Sequence, residues 1–328
     1  MSGRLAVALI LVALVGVPVA HADGPMPYAS QVGDGVLSPD GSTRYLALAA
    51  GQTENTLVEA VKTDGGKVQG SLELVGQWGI PIVTYDQAGA GLTSDGKTLV
   101  LGDAVPVMPK TTSKFLALDP VHLRTLHLFA LKGDFAFDAI SPDGRRLYLI
   151  QHVDPTDSQR YVVRAYDLRA GRLLPGRVAD RTQKGWVMQG YPIARTSTSD
   201  GRWVYTLYQN PGGYPFVHAL DTVRGVAHCV GLPWRGSQDG LYDMRLTLHG
   251  SSLAVHRLSG RPWLRIDTRT WKLTPDRRGS FPWPWAAGGV AVLSVLAAAL
   301  VVRRRRGAEE LEQELAELLG LTEREVVV

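Results

Sequence analysis

Between residues 32 and 275 the chain reads as a series of short apolar runs, each bounded by Gly, Pro, Asp or Ser. Runs this short, rich in Val, Leu, Ile, Tyr and Trp, predict β-strands. Helices would need longer runs with a period of about 3.6 residues. The runs are paired around a recurring turn. Ser38-Pro39-Asp40-Gly41 precedes residues 45–50, and Ser94-Asp95-Gly96 precedes 98–101. Ser141-Pro142-Asp143-Gly144 precedes 147–150, and Ser199-Asp200-Gly201 precedes 203–208. A degenerate copy, His249-Gly250-Ser251-Ser252, precedes 253–256. The five glycines are 55, 48, 57 and 49 residues apart. Asp-Gly between apolar runs signals a tight hairpin, because Gly adopts the positive φ that such turns require.

A second hairpin follows in each unit. The third unit shows it best, with residues 161–167, a turn at Leu168-Arg169-Ala170-Gly171, and a return at 172–174. Each unit is thus four strands, a to d. Four-stranded units repeating every 40 to 50 or so residues mark propeller blades. The pattern predicts an all-β fold, a β-propeller of about five four-stranded blades spanning residues 23–275. The a–b and c–d turns share one face and are short. The b–c and d–a loops share the other face and are long and dissimilar.

The Ser-Pro-Asp-Gly-basic pattern, followed by Tyr166-Asp167-Leu168 and Gly171, resembles bacterial WD40-like propellers of the TolB and YVTN type. The likeness is best over residues 141–174 and extends over about 32–275. The Gly-His and Trp-Asp signatures of eukaryotic WD40 repeats and the Tyr-Val-Thr-Asn tetrapeptide are absent. The resemblance implies the fold. It leaves function open, since such propellers host many activities, lactonases and other hydrolases among them.

The two ends have a different texture. Residues 1–22 read as a secretory signal: Arg4, an apolar run over 5–19, and the small-x-small site Ala20-His21-Ala22. Residues 286–302 carry no charge and one polar residue, Ser294; Trp283 and Trp285 precede them and Arg303, Arg304, Arg305 and Arg306 follow. Counted from Trp283, the run would give about 30 Å of helix. The tryptophans suit a membrane interface and the arginines its cytoplasmic side. The expected order is therefore signal peptide 1–22, extracytoplasmic propeller 23–275, linker 276–282, transmembrane helix 283–302 and cytoplasmic tail 303–328. That order predicts a single-pass protein of the cell membrane. In the tail, Leu311, Leu315, Leu318 and Leu319 share one face of a short acidic helix.

Composition adds limits. The net charge of +4 on 328 residues gives no nucleic-acid footprint. Cys229 is the sole cysteine, so no internal disulfide forms, and its strand-like surroundings predict a buried structural thiol. The sequence has no Gly-x-Ser-x-Gly, His-Glu-x-x-His, Cys-x-x-Cys or phosphate-loop motif. The eight histidines do not cluster, and Asp154 with Asp157 lacks the spacing of a calcium loop. No cofactor or metal is implied.

Variable loops on a rigid scaffold are where binding sites form. On the long-loop face the d–a loops carry Trp78, Trp186 and Tyr191, anchor types for a partner or ligand, and the b–c loop at 151–160 carries Asp154 and Asp157. The sequence favours a membrane-anchored extracytoplasmic binding or scaffolding module, with an envelope protein or small ligand as partner. A lactonase-like hydrolase with its site at the central channel is the alternative, and a receptor signalling through the tail is a third reading.

Overall fold

The computed structural model describes residues 27–275 apart from 181, 183–187 and 212. These form five antiparallel sheets of successive strands in a propeller-like arrangement. Blade 1 is Val36–Leu37, Thr43–Ala49, Thr56–Lys62 and Val68–Leu74. Blade 2 is Trp78–Ile82, Leu99–Asp103, Thr112–Asp119 and Arg124–Lys132. Blade 3 is Phe135–Ile140, Arg146–His152, Arg160–Asp167 and Arg172–Leu173, with Met188–Gln189 paired to the start of its third strand. Blade 4 is Pro192–Ser197, Trp203–Tyr208, Phe216–Asp221 and Val226–Gly231. Blade 5 is Met244–His249, Ser252–Arg257, Pro262–Asp267 and Leu273–Pro275. Residues of the first strands of blades 1, 3 and 4, Val36, Phe137 and Arg195 among them, line one cavity at the axis.

The expected fold class needs one correction. Among the described residues no helix is long and apolar enough to cross a membrane; their helix is the single turn Gln238–Leu241. The architecture described is all-β, without a transmembrane helix. Residues 1–22, 276–282, 283–302 and 303–328, and with them Trp283, Trp285 and Arg303 to Arg306, lie outside the described residues.

The repeated turns explain why each blade starts as it does. Gly41, Gly96, Gly144 and Gly201 all have φ near +70°, at 71°, 71°, 66° and 70°. The aspartate before each accepts the backbone N–H two residues on, at 3.0 to 3.1 Å. Three residues before each glycine a hydroxyl, on Ser38, Thr93, Ser141 or Thr198, accepts the N–H that opens strand b. The functional repeat is thus Ser/Thr-x-Asp-Gly. In the second and fourth units the hydroxyl that counts is one residue earlier than the Ser-Asp-Gly pattern indicates. At Asp40 the bonds from Ser38 and Ser42 hold the carboxyl at about 2.

Four apolar cores fill the four joints between successive blades. Leu99, Leu101, Val58 and Leu118 lie between blades 1 and 2; Val100, Phe115, Phe137 and Leu149 lie between 2 and 3. Tyr148, Tyr161, Tyr208 and Phe216 lie between 3 and 4; Ile193, Leu207, Leu246 and Val255 lie between 4 and 5. Among the described residues no such cluster joins blade 5 to blade 1.

The chain itself occupies the axis. A short N-terminal strand, Tyr28–Ser30, pairs with the inner edge of blade 2, Tyr28 opposite Ile82 and Ser30 opposite Ile80. It adds to blade 2 and leaves blade 5 with its own four strands. Two glycines make room for it. A Cβ on Gly79 would stand 2.4 Å from the backbone nitrogen of Ser30, and one on Gly102 would stand 3.0 Å from the Ala29 Cβ. Gly79→Ala is therefore expected to unseat this strand, with amide protection at Ala29 and Ser30 falling roughly tenfold or more in hydrogen exchange. Unchanged protection would show that the strand is held elsewhere. On the opposite side, residues 83–91 leave blade 2 and cross to blade 4. There Tyr85 N–H donates to the Pro192 carbonyl at 3.0 Å, and the Tyr85 ring lies 4.5 Å from that of Tyr242 at the entry to blade 5.

Candidate functional site

Between blades 2 and 3, on the long-loop face, lies a cavity of about 340 Å³. Its floor is Phe115, Phe135 and Phe137, all nearly inaccessible, and Pro81 closes one side. One wall is the N-terminal segment Pro27, Tyr28 and Ala29; the other is the b–c loop of blade 2 with Val105, Pro106 and Met108. The loop is held in shape from below. Lys110 Nζ donates to the Asp103 carbonyl at 2.6 Å, and Asp103 Oδ1 accepts Val105 N–H at 3.1 Å. The floor is fixed by Ser113, whose hydroxyl donates to the Gly133 carbonyl at 3.0 Å and accepts Phe135 N–H at 2.8 Å. Val107 and Met108 are 58% and 51% exposed at the tip. Lys110, Lys114, Asp103 and Asp134 give the lining its charge. An apolar pocket edged by a few charged groups is the common form of a small-molecule or side-chain site.

Next to it, Asp134 and His152 face each other as the outermost pair of the first hairpin of blade 3. His152 Nδ1 lies 3.2 Å from Asp134 Oδ2, with the two side chains 4% and 10% exposed. Both ring nitrogens of His152 are buried, and neither makes a hydrogen bond, so the contact with Asp134 is one of charge and proximity. His152 and Ser158 line a small space roofed by Pro27 and closed by Tyr161 and Tyr191.

The axis on the Asp-Gly-turn face holds a second cavity of about 450 Å³. Its wall includes Arg195, whose guanidinium bonds the Asp138 carboxylate and carbonyl and donates from Nε to Thr206 at 3.0 Å. Asp138 sits at a bulge: Phe137 pairs with Leu149 and Ala139 with Tyr148, leaving Asp138 without a partner in the ladder. A bulge redirects the extra side chain, and here the carboxylate meets the first strand of blade 4.

The residues singled out from sequence fall in other places. Trp78 opens the first of the four strands of blade 2, is 6% exposed, and donates its indole N–H to the Val75 carbonyl at 2.8 Å. Tyr191 is 4% exposed between blades 3 and 4. Neither ring is presented to solvent. Trp186 lies outside the described residues. Asp154 is spent on its own loop, accepting Thr156 N–H at 2.9 Å and Thr156 hydroxyl at 2.7 Å; Asp157 accepts Gln159 N–H at 3.0 Å. Among the described residues no group of three or more acids, histidines and cysteines could hold a metal ion. Burial pushes the Cys229 thiol up to about 12, the opposite of an activated nucleophile.

No family model matches the chain. No curated protein matches it either. Solved structures similar to it include TolB from Acinetobacter baumannii, 14% identical, covering 74% of this chain and 53% of that one with a TM-score of 0.39. Hydrazine synthase from Kuenenia stuttgartiensis is 19% identical over 77% of this chain and 80% of that one, with a TM-score of 0.41. A puromycin-hydrolyzing peptidase from Mycobacterium tuberculosis is 19% identical over 76% of this chain and 37% of that one, with a TM-score of 0.43. The chain spans about half of that TolB and about a third of that peptidase.

Proposed function

We propose that this protein is a binding module that presents the pocket between blades 2 and 3 to an apolar side chain of a protein partner or to a small apolar ligand. The observation that carries the reading is the pairing of that pocket with an exposed apolar loop tip, Val105, Val107 and Met108. Exposed apolar groups beside a cleft mark interaction sites more often than isolated ones do. The signal-like residues 1–22 support action outside the cytoplasm, with an envelope protein as the partner.

The test is photocrosslinking in cells from a reactive side chain at Val107. One dominant product is expected, lost in Met108→Asp but kept in a control such as Val121→Asp on the far hairpin of blade 2. A product indifferent to Met108, or none at all, would remove the binding reading.

The Asp134–His152 pair favours one second reading, a hydrolase using His152 Nε2 as its base on the same face. It predicts turnover of ester or lactone substrates by the purified chain, abolished by His152→Gln.

A further inference from the structure

The lip of the pocket between blades 2 and 3 carries a thioether. Met108 is 51% exposed, and with Val105 and Pro106 it forms the apolar wall on the loop side. The stem of that loop is braced. Lys110 Nζ bonds the Asp103 carbonyl, and the Asp103 carboxylate accepts Val105 N–H. The brace keeps the tip at the mouth of the pocket.

The other sulfur atoms among the described residues are shielded. Met188 is 5% exposed and Met244 0%. Burial pushes the thiol of Cys229, the single cysteine, up to about 12, so it holds almost no thiolate at neutral pH. Oxidation of sulfur follows exposure and, for cysteine, thiolate character. Among the described residues Met108 is therefore the sulfur most open to a two-electron oxidant. Its position gives the change a consequence. The thioether is a flexible apolar group that adapts to an apolar guest. The sulfoxide is polar and chiral. An S=O group pressed against an apolar guest loses its hydration and gains no hydrogen bond, which disfavours the complex.

We infer that Met108 is an oxidation site through which a peroxide weakens binding at this pocket. The step is an oxygen transfer. The sulfur gives an electron pair to one peroxide oxygen, the S–O bond forms and the O–O bond breaks. The proton on the transferred oxygen passes to the departing one, which leaves as water or an alcohol. Sulfur is oxidised and the peroxide is reduced. Methionine sulfoxide reductases return the thioether, so the change is reversible. The inference rests on that pocket being the site at which the partner binds.

The test treats cells making the full chain, with the photocrosslinking side chain at Val107, with dilute hydrogen peroxide before illumination. Peptide mapping by mass spectrometry should find the sulfoxide forming at Met108 about tenfold or more faster than at Met188 or Met244. The crosslinked product should fall about fivefold or more as Met108 is converted. In Met108→Leu the yield, whatever its starting level, should not respond to peroxide. Conversion of Met108 with no change in yield, or an equal fall in Met108→Leu, would overturn the inference and leave the binding reading standing. Earlier oxidation of Met188 or Met244 would overturn it as well. No product before treatment would remove the binding reading, and this inference with it.

Discussion

Arg195→Ala is expected to cost the fold about 3–5 kcal/mol, the usual penalty for breaking a buried ion pair from one side. The Asp138 side chain is 2% exposed and the Arg195 side chain 14%. Without the guanidinium, a carboxylate remains among Tyr161, Tyr208 and His218 with no cation to balance it. The loss should be read as a shift of the urea midpoint of the full chain at neutral pH. Replacing both partners, Asp138→Leu with Arg195→Met, should recover most of it, because the pair itself contributes little beyond its apolar equivalent. A single-mutant loss below about 1 kcal/mol would mean that water reaches the pair and that the joint is looser than its burial indicates.

Acid should loosen the same joint. Burial lowers the His218 pKa from 6.5 to about 4; the Asp138 charge opposes the shift and the Arg195 charge adds to it. The unfolded chain therefore binds a proton that the folded chain refuses between those two values. Stability from this group is fully present above pH 6.5 and is lost as pH falls towards 4. At 1.36 kcal/mol per pKa unit the loss is about 3 kcal/mol. His218→Gln should flatten that part of the profile, measured by denaturation at a series of pH values against the parent chain. Parallel profiles would show that other groups cause the acid sensitivity.

The blades were legible in the sequence because their determinants are local. The Asp-Gly step fixes each hairpin within four residues, and the positive φ at Gly41, Gly96, Gly144 and Gly201 follows from it directly. The site was less legible because its determinants are slips in register. Counting outward from the turn at residues 141–144 pairs Phe135 with His152. The bulge at Asp138 shifts the count, so that Asp134 stands opposite His152 and the Asp138 side chain turns towards Arg195. No periodicity in the sequence announces one extra residue. Trp78 and Tyr191 read as exposed loop residues for a related reason, although both are buried. Gly and Pro beside each aromatic read as loop, yet Trp78-Gly79-Ile80-Pro81 lies in the first of the four strands of blade 2, where glycine admits the N-terminal strand and proline needs no ladder donor. The apolar character of the b–c loop of blade 2 is visible in Val105-Pro106-Val107-Met108-Pro109. The phenylalanines beneath it come from the floor strands of two blades and meet only in the folded chain.

The position of Pro27 bears on how the protein should be handled at the bench. That residue roofs the space beside His152 and edges the pocket between blades 2 and 3. An affinity handle or fluorescent protein fused just ahead of it would begin at the mouth of the pocket and compete for whatever enters. Pro275 lies on the outer strand of blade 5, outside the lining of that pocket. Reporters for binding work belong on that side of the molecule, and a failed pull-down with an amino-terminal tag would say more about the tag than about the partner.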